Sequence, residues 1–176
     1  LHYLSVLPDK PGITKANCAI VSAADVPVNS SDQQFVDLYH IPEKVIDEEN
    51  LVPFLKGCNS VGRYHPYHVE MNLQHYVQVD KVYAYTVEQF LAMHRIRRIR
   101  LLKIDAEGYD VVIMEELYQY LLAQNNPLLY PERIVFETND KSQADTVQDL
   151  IKKYTSLGYQ LVLIGTDTIL QRLLPQ

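Results

Sequence analysis

Glycine is scarce and scattered. The six glycines in 176 residues form neither a G-x-G-x-x-G nor a P-loop arrangement. A loop that cradles phosphate through its backbone needs closely spaced glycines ahead of a helix. Nucleotide hydrolysis by that design is therefore excluded. No G-x-S-x-G elbow is present, which removes the common serine-hydrolase arrangement. Cysteine is also sparse: Cys18 and Cys58 have no metal-like spacing, so free thiols in a reducing, cytoplasmic compartment are expected. No apolar stretch is long enough to cross a membrane, and no signal peptide is visible. Basic residues are outnumbered, 16 against 22 acidic, giving a net charge of -6. The one basic cluster, Arg95, Arg97, Arg98 and Arg100, reads as a solvated turn before a strand. It gives no support to non-specific nucleic-acid binding. His65, His68 and His75 have no evident fourth partner, so no zinc site is assigned.

What is present describes a globular protein. Hydrophobic residues make up 47% and charged residues 22%, enough for one domain with a core over residues 1–176. Residues 14–22 read as a short strand. Residues 23–75, with Pro27, Pro42, Pro53, Pro66, Gly57 and Gly62, read as loops with one or two short helices. Alternation over 76–84 predicts a strand with one wet face. Thr86 and Gln89 form a capping-box pattern ahead of a helix over 86–95. A strand over 99–105, a helix over 110–124 and a strand over 133–137 follow. An apolar stripe from Val147 to Leu157 marks another helix, closed by Gly158. Two final strands, 159–164 and 168–173, suit an antiparallel hairpin. This alternation predicts an α/β fold with a mostly parallel sheet and helices on both faces.

The chemistry concentrates at two places. In residues 99–110 an apolar strand ends in Asp105 and Glu107, at the edge where α/β sheets bind ligands. A carboxylate there can orient a hydroxyl, take its proton or hold a divalent cation. Equally, Asp105 can cap the next helix and Glu107 favour its N-terminus. Lys103 shares a strand face with Asp105, and pairing with Asp105 or Glu137 would offset the cost of placing it in an apolar strand. Glu137 and Asn139 end the next strand as further candidate substrate contacts, and Asp105, Glu107 and Glu137 can converge there, the place to look for a cation. The second place is residues 58–68, where Asn59, Ser60, His65 and His68 are candidate substrate contacts in a turn-rich loop. For its histidines a solvated role is the more common outcome.

Over residues 12–173 the chain resembles the C-terminal two-thirds of an FkbM-type methyltransferase. The resemblance rests on AIVS at 19–22, NSVG at 59–62, the strand and helix of 79–91, LLKIDAEGYD at 101–110, IVFETN at 134–139 and LGYQLVLIGTDTIL at 157–170. It implies a Rossmann-like class I fold with an antiparallel C-terminal strand. It also implies methyl transfer from S-adenosylmethionine to a hydroxyl of a sugar, glycan or other small metabolite. Cys18 and Ala19 would then line the adenine pocket, while Asp105 would face both cofactor and acceptor. Asp105 and Glu107 would position or deprotonate the hydroxyl. The family's opening strand with its glycine loop, and the acid that binds the ribose, have no counterpart in this sequence. A truncated domain is therefore expected, whose first strands come from a partner segment or chain. The alternative is a non-catalytic binding or assembly module that kept the fold.

Overall fold

The computed structural model describes residues 10–25, 34–106, 108–138 and 144–173. The chain divides into two compact units, Leu1–Ile20 with Val26–Tyr85, and Val21–Asp25 with Thr86–Gln176.

In the first unit four strands form one sheet: β1 (Cys18–Ile20), β2 (Phe35–His40), β3 (Ser60–Val61) and β4 (Gln78–Tyr85), in the order β1-β4-β2-β3. β1 lies parallel to β4, whereas β2 runs antiparallel to both β4 and β3. The segment expected to be mainly loops is better organised than its prolines suggest. β2 pairs with β4 over six registered positions, from Phe35 opposite Tyr83 to His40 opposite Gln78. Helices α1 (Glu43–Glu48) and α2 (Pro66–Glu70) and a 3-10 turn (Pro53–Lys56) follow. Pro53 and Pro66 start their turns rather than break them, because the first helical positions need no N–H donor. Ile41, Ile46, Leu55, Cys58 and Leu73 are buried together as a small core.

The second unit holds α3 (Val87–Met93), β5 (Leu101–Ile104), α4 (Asp110–Gln124), β6 (Arg133–Glu137), α5 (Ala144–Ser156), β7 (Tyr159–Leu163) and β8 (Asp167–Arg172). The predicted capping box is formed: Gln89 N–H donates to Thr86 Oγ1 at 3.2 Å, and Thr86 N–H donates to Gln89 Oε1 at 2.9 Å. Gly158 takes a left-handed φ of 88° just past α5, as a helix end of this kind requires. Its sheet runs β5-β6-β8-β7, with β5 and β6 parallel and the other pairs antiparallel. Ile134, Phe136, Met114, Leu121 and Leu170 are fully buried, and each large aliphatic or aromatic side chain contributes about 1.5–3 kcal/mol by leaving water. Two phenols share this core. Tyr154 donates to Met114 O at 2.8 Å and Tyr159 to Pro131 O at 2.7 Å. Their rings meet edge-on at 5.4 Å, and Tyr118 lies 5.8 Å from Tyr154.

The fold is thus α/β with two mixed sheets. The expectation of a mostly parallel sheet is corrected, since four of the six strand pairings described are antiparallel. One connection, the turn between Leu163 and Asp167, is too short for a crossover and makes β7 and β8 an antiparallel hairpin.

Candidate active site

The second unit brings three acidic residues to one sheet edge. Ile104 is in register with Phe136, so Asp105 and Glu137 stand next along the parallel pair. Glu137 is in turn opposite Asp167 on β8. Lys103 Nζ donates to Asp105 Oδ2 at 3.2 Å. This bond and the Asp105 charge push the lysine's pKa up, with Asp167 and Glu137 adding to the effect. Both partners are more than half exposed, because β5 is an edge strand of its sheet. Lys103 therefore keeps its ammonium largely in water, and an exposed pair of this kind adds little to stability.

The turn after β5 is set by Gly108, whose φ of 91° is a left-handed conformation that side chains resist. Tyr109 N–H closes it on Ala106 O at 3.0 Å. Asp105 does not cap α4. α4 opens without a side-chain cap, and its first residue, Asp110, is 1% exposed and ties the turn instead. Its Oδ2 accepts Ala106 N–H and its Oδ1 accepts Glu137 N–H, each at 3.2 Å. One buried carboxylate thus fixes the ends of both parallel strands and leaves Asp105 projecting.

Tyr109 makes the second anchor. Its hydroxyl accepts Ser22 N–H at 3.1 Å and donates to the Asp25 carboxylate. Ser22 Oγ also donates to Asp25, at 3.0 Å. Burial first, then the Asp25 contact, raises the phenol's pKa, so Tyr109 stays protonated as a donor. Sequence reasoning quoted both Tyr109 and Asp110 inside a motif without giving either a role. An acid opening a helix after a glycine turn was the available signal. That it reaches across to a second strand is a matter of topology.

The remaining candidates divide by position. Glu107 and Asn139 lie outside the described residues. Cys18 and Ala19 belong to the first unit, in register with Tyr83 and Ala84 of β4, and burial raises the Cys18 thiol's pKa. Asn59 and Ser60 are half-buried in a turn and in β3. His65 and His68, the candidate substrate contacts of residues 58–68, lie in the interior of the first unit. They are 2% and 0% exposed. His65 Nδ1 accepts Tyr67 N–H at 3.2 Å and so caps α2. His68 is enclosed with both ring nitrogens lacking a well-formed hydrogen bond among the described residues. Burial lowers its pKa, opposed by the Cys58 main chain and reinforced by His40. Among the described residues no three histidine, cysteine or acidic side chains gather as a metal ion would need. No described helix is long and apolar enough to cross a membrane.

Comparison with known families matches residues 5–161 to the methyltransferase FkbM domain, a span that runs through both units. Among curated proteins and among solved structures, nothing matches. The match covers most of the sequence, from the residues ahead of β1 to the start of β7, and includes every element of the acidic edge except β8. The chain belongs to the FkbM methyltransferase family.

Proposed function

We propose that this protein is an S-adenosylmethionine-dependent O-methyltransferase acting on a hydroxyl of a sugar, glycan or other small metabolite. Family membership supports a methyltransferase in general. The observation that carries the finer reading is Asp105: a half-exposed carboxylate at a parallel strand end, free of any capping duty and kept beside a lysine. Within the second unit, the parallel pair β5/β6 with β8 antiparallel beside it supports a Rossmann-like class I reading.

The acidic row suits the cofactor's chemistry, because its sulfonium and ammonium groups are cationic. Asp105 and Glu137 would hold that end. The cofactor supplies an activated methyl group. Asp105 accepts the hydroxyl's hydrogen bond and orients a lone pair of its oxygen. Asp105 would take up the proton that the hydroxyl loses when a bound cofactor supplies its methyl group to that oxygen. Lys103 holds that carboxylate in place through its hydrogen bond. Asp110 and Tyr109 hold the turn in place.

Calorimetry with S-adenosylhomocysteine, with and without magnesium or manganese, tests this reading on the natural full-length protein. Micromolar binding followed by transfer of a labelled methyl group to hydroxylated acceptors is expected. Absence of binding under all conditions would leave the second reading, a binding or assembly module built on the methyltransferase fold.

A further inference from the structure

Six of the seven arginines in the whole sequence lie at one end of the second unit, opposite the acidic edge. Arg95, Arg97, Arg98 and Arg100 lead into β5, Arg133 begins β6 and Arg172 ends β8. Main-chain bonds tie these segments together. Arg133 N–H donates to Arg100 O at 3.0 Å, and Arg172 N–H donates to Glu132 O at 2.9 Å. Among the described residues, one carboxylate is paired with this group: Glu132, 2.6 Å from Arg98 and 4.0 Å from Arg100. Arg133 bonds instead to a neutral acceptor, Gln171 Oε1, while Arg172 bonds to Pro127 O and lies over the Tyr130 ring, 4.7 Å from its centroid. In a protein of net charge -6 this is a pronounced segregation.

Aliphatic side chains stand among the guanidiniums. Met93, Leu101, Leu128 and Leu173 are each half to two-thirds exposed. Arg95 adds an independent sign. It ends α3 with a φ of 52°, a position where glycine or asparagine is at ease and a longer side chain costs about 1 kcal/mol. A charge is thus kept where backbone comfort alone would favour another residue.

We infer that this end of the second unit docks on an anionic lipid surface. Guanidinium groups match headgroup phosphates, and the aliphatic side chains match the boundary of the acyl region. A nucleic acid is disfavoured because the exposed apolar side chains of the patch, Met93, Leu101, Leu128 and Leu173, offer no ring for a base to stack on. Docked this way, the edge bearing Asp105, Glu137 and Asp167 points away from the membrane and stays open to a soluble acceptor. The proposal is independent of the methyl-transfer reading.

Flotation of the full chain with vesicles tests it, comparing phosphatidylcholine alone with phosphatidylcholine carrying about 30 mol% phosphatidylserine. Binding to the anionic vesicles only, weakening as salt rises, is expected. The Arg97→Glu/Arg100→Glu double variant should weaken it by about tenfold or more, because each residue lost near the surface counts severalfold. Arg95→Gly separates binding from folding: it should melt no lower than the parent while binding about threefold to fivefold more weakly. Equal binding to neutral vesicles, no binding to either, or binding untouched by the two variants would overturn the proposal. Retention on a heparin matrix with no vesicle binding would also overturn it and assign a soluble polyanion.

Discussion

The carboxylate of Asp110 accepts the main-chain N–H of Glu137, 27 residues away in sequence. Its other oxygen accepts Ala106 N–H. Asp110→Ala leaves two N–H groups short of an acceptor beside a new cavity, at a cost of about 3 kcal/mol. Urea denaturation should show that loss. Asp110→Asn keeps one acceptor oxygen and should fall between the two. A variant as stable as the parent would show that the clamp carries no weight.

Asp105 differs from its neighbour in exposure. Its pairing with Lys103 lies in water, so Asp105→Ala should change stability by less than about 1 kcal/mol. Methyl transfer should fall by about a hundredfold or more, as expected for loss of a positioned proton acceptor. Reduced stability with activity retained in the folded fraction would return Asp105 to a purely structural role.

His68 predicts an acid sensitivity of the first unit. Burial depresses its folded pKa below the ordinary value near 6.5. Above about pH 6.5 it is neutral in both folded and unfolded states and contributes no pH dependence. As pH falls below that value the unfolded chain takes up a proton that the folded chain refuses, so stability declines. Denaturant midpoints measured from pH 8 down to about pH 5 should fall, and His68→Phe should flatten the curve. An unchanged slope in that variant would assign the sensitivity elsewhere.

Tyr109→Phe removes the hydroxyl that joins Ser22 to Asp25 and should cost about 0.5–1.5 kcal/mol at neutral pH. The phenol's folded pKa is raised, so its contribution is full below about pH 10 and is lost as pH climbs through the folded value. The variant should therefore show a shallower alkaline denaturation than the parent. Equal alkaline slopes would contradict the bond.

Much of the second unit was legible because its signals are local. Thr86 and Gln89 fix one helix start, Gly158 fixes one helix end, and α4 and β6 span the residues that periodicity predicted. β2 was missed because it lies in a segment whose prolines dominate the reading, and its hydrogen bonds go to β4 some forty residues on. His65 and His68 looked like loop residues because burial is not written in polarity. A small core around Ile46 and Leu55 encloses this part of the chain. The acidic edge was anticipated through Asp105 and Glu137, but Asp167 joined it only through the antiparallel register of β8. Asp110 could not be given its clamp without knowing which strand lies beside β5.

The buried phenols of the second unit have an optical consequence. The protein has 13 tyrosines and no tryptophan, so its near-ultraviolet absorbance and fluorescence are tyrosine signals. Tyr154 and Tyr159 are shielded from water and ionise well after an exposed phenol does. In an alkaline titration the last phenolate absorbance to appear therefore times the moment when the interior of the second unit admits solvent. The chain carries its own clock for that opening, with no dye or engineered probe.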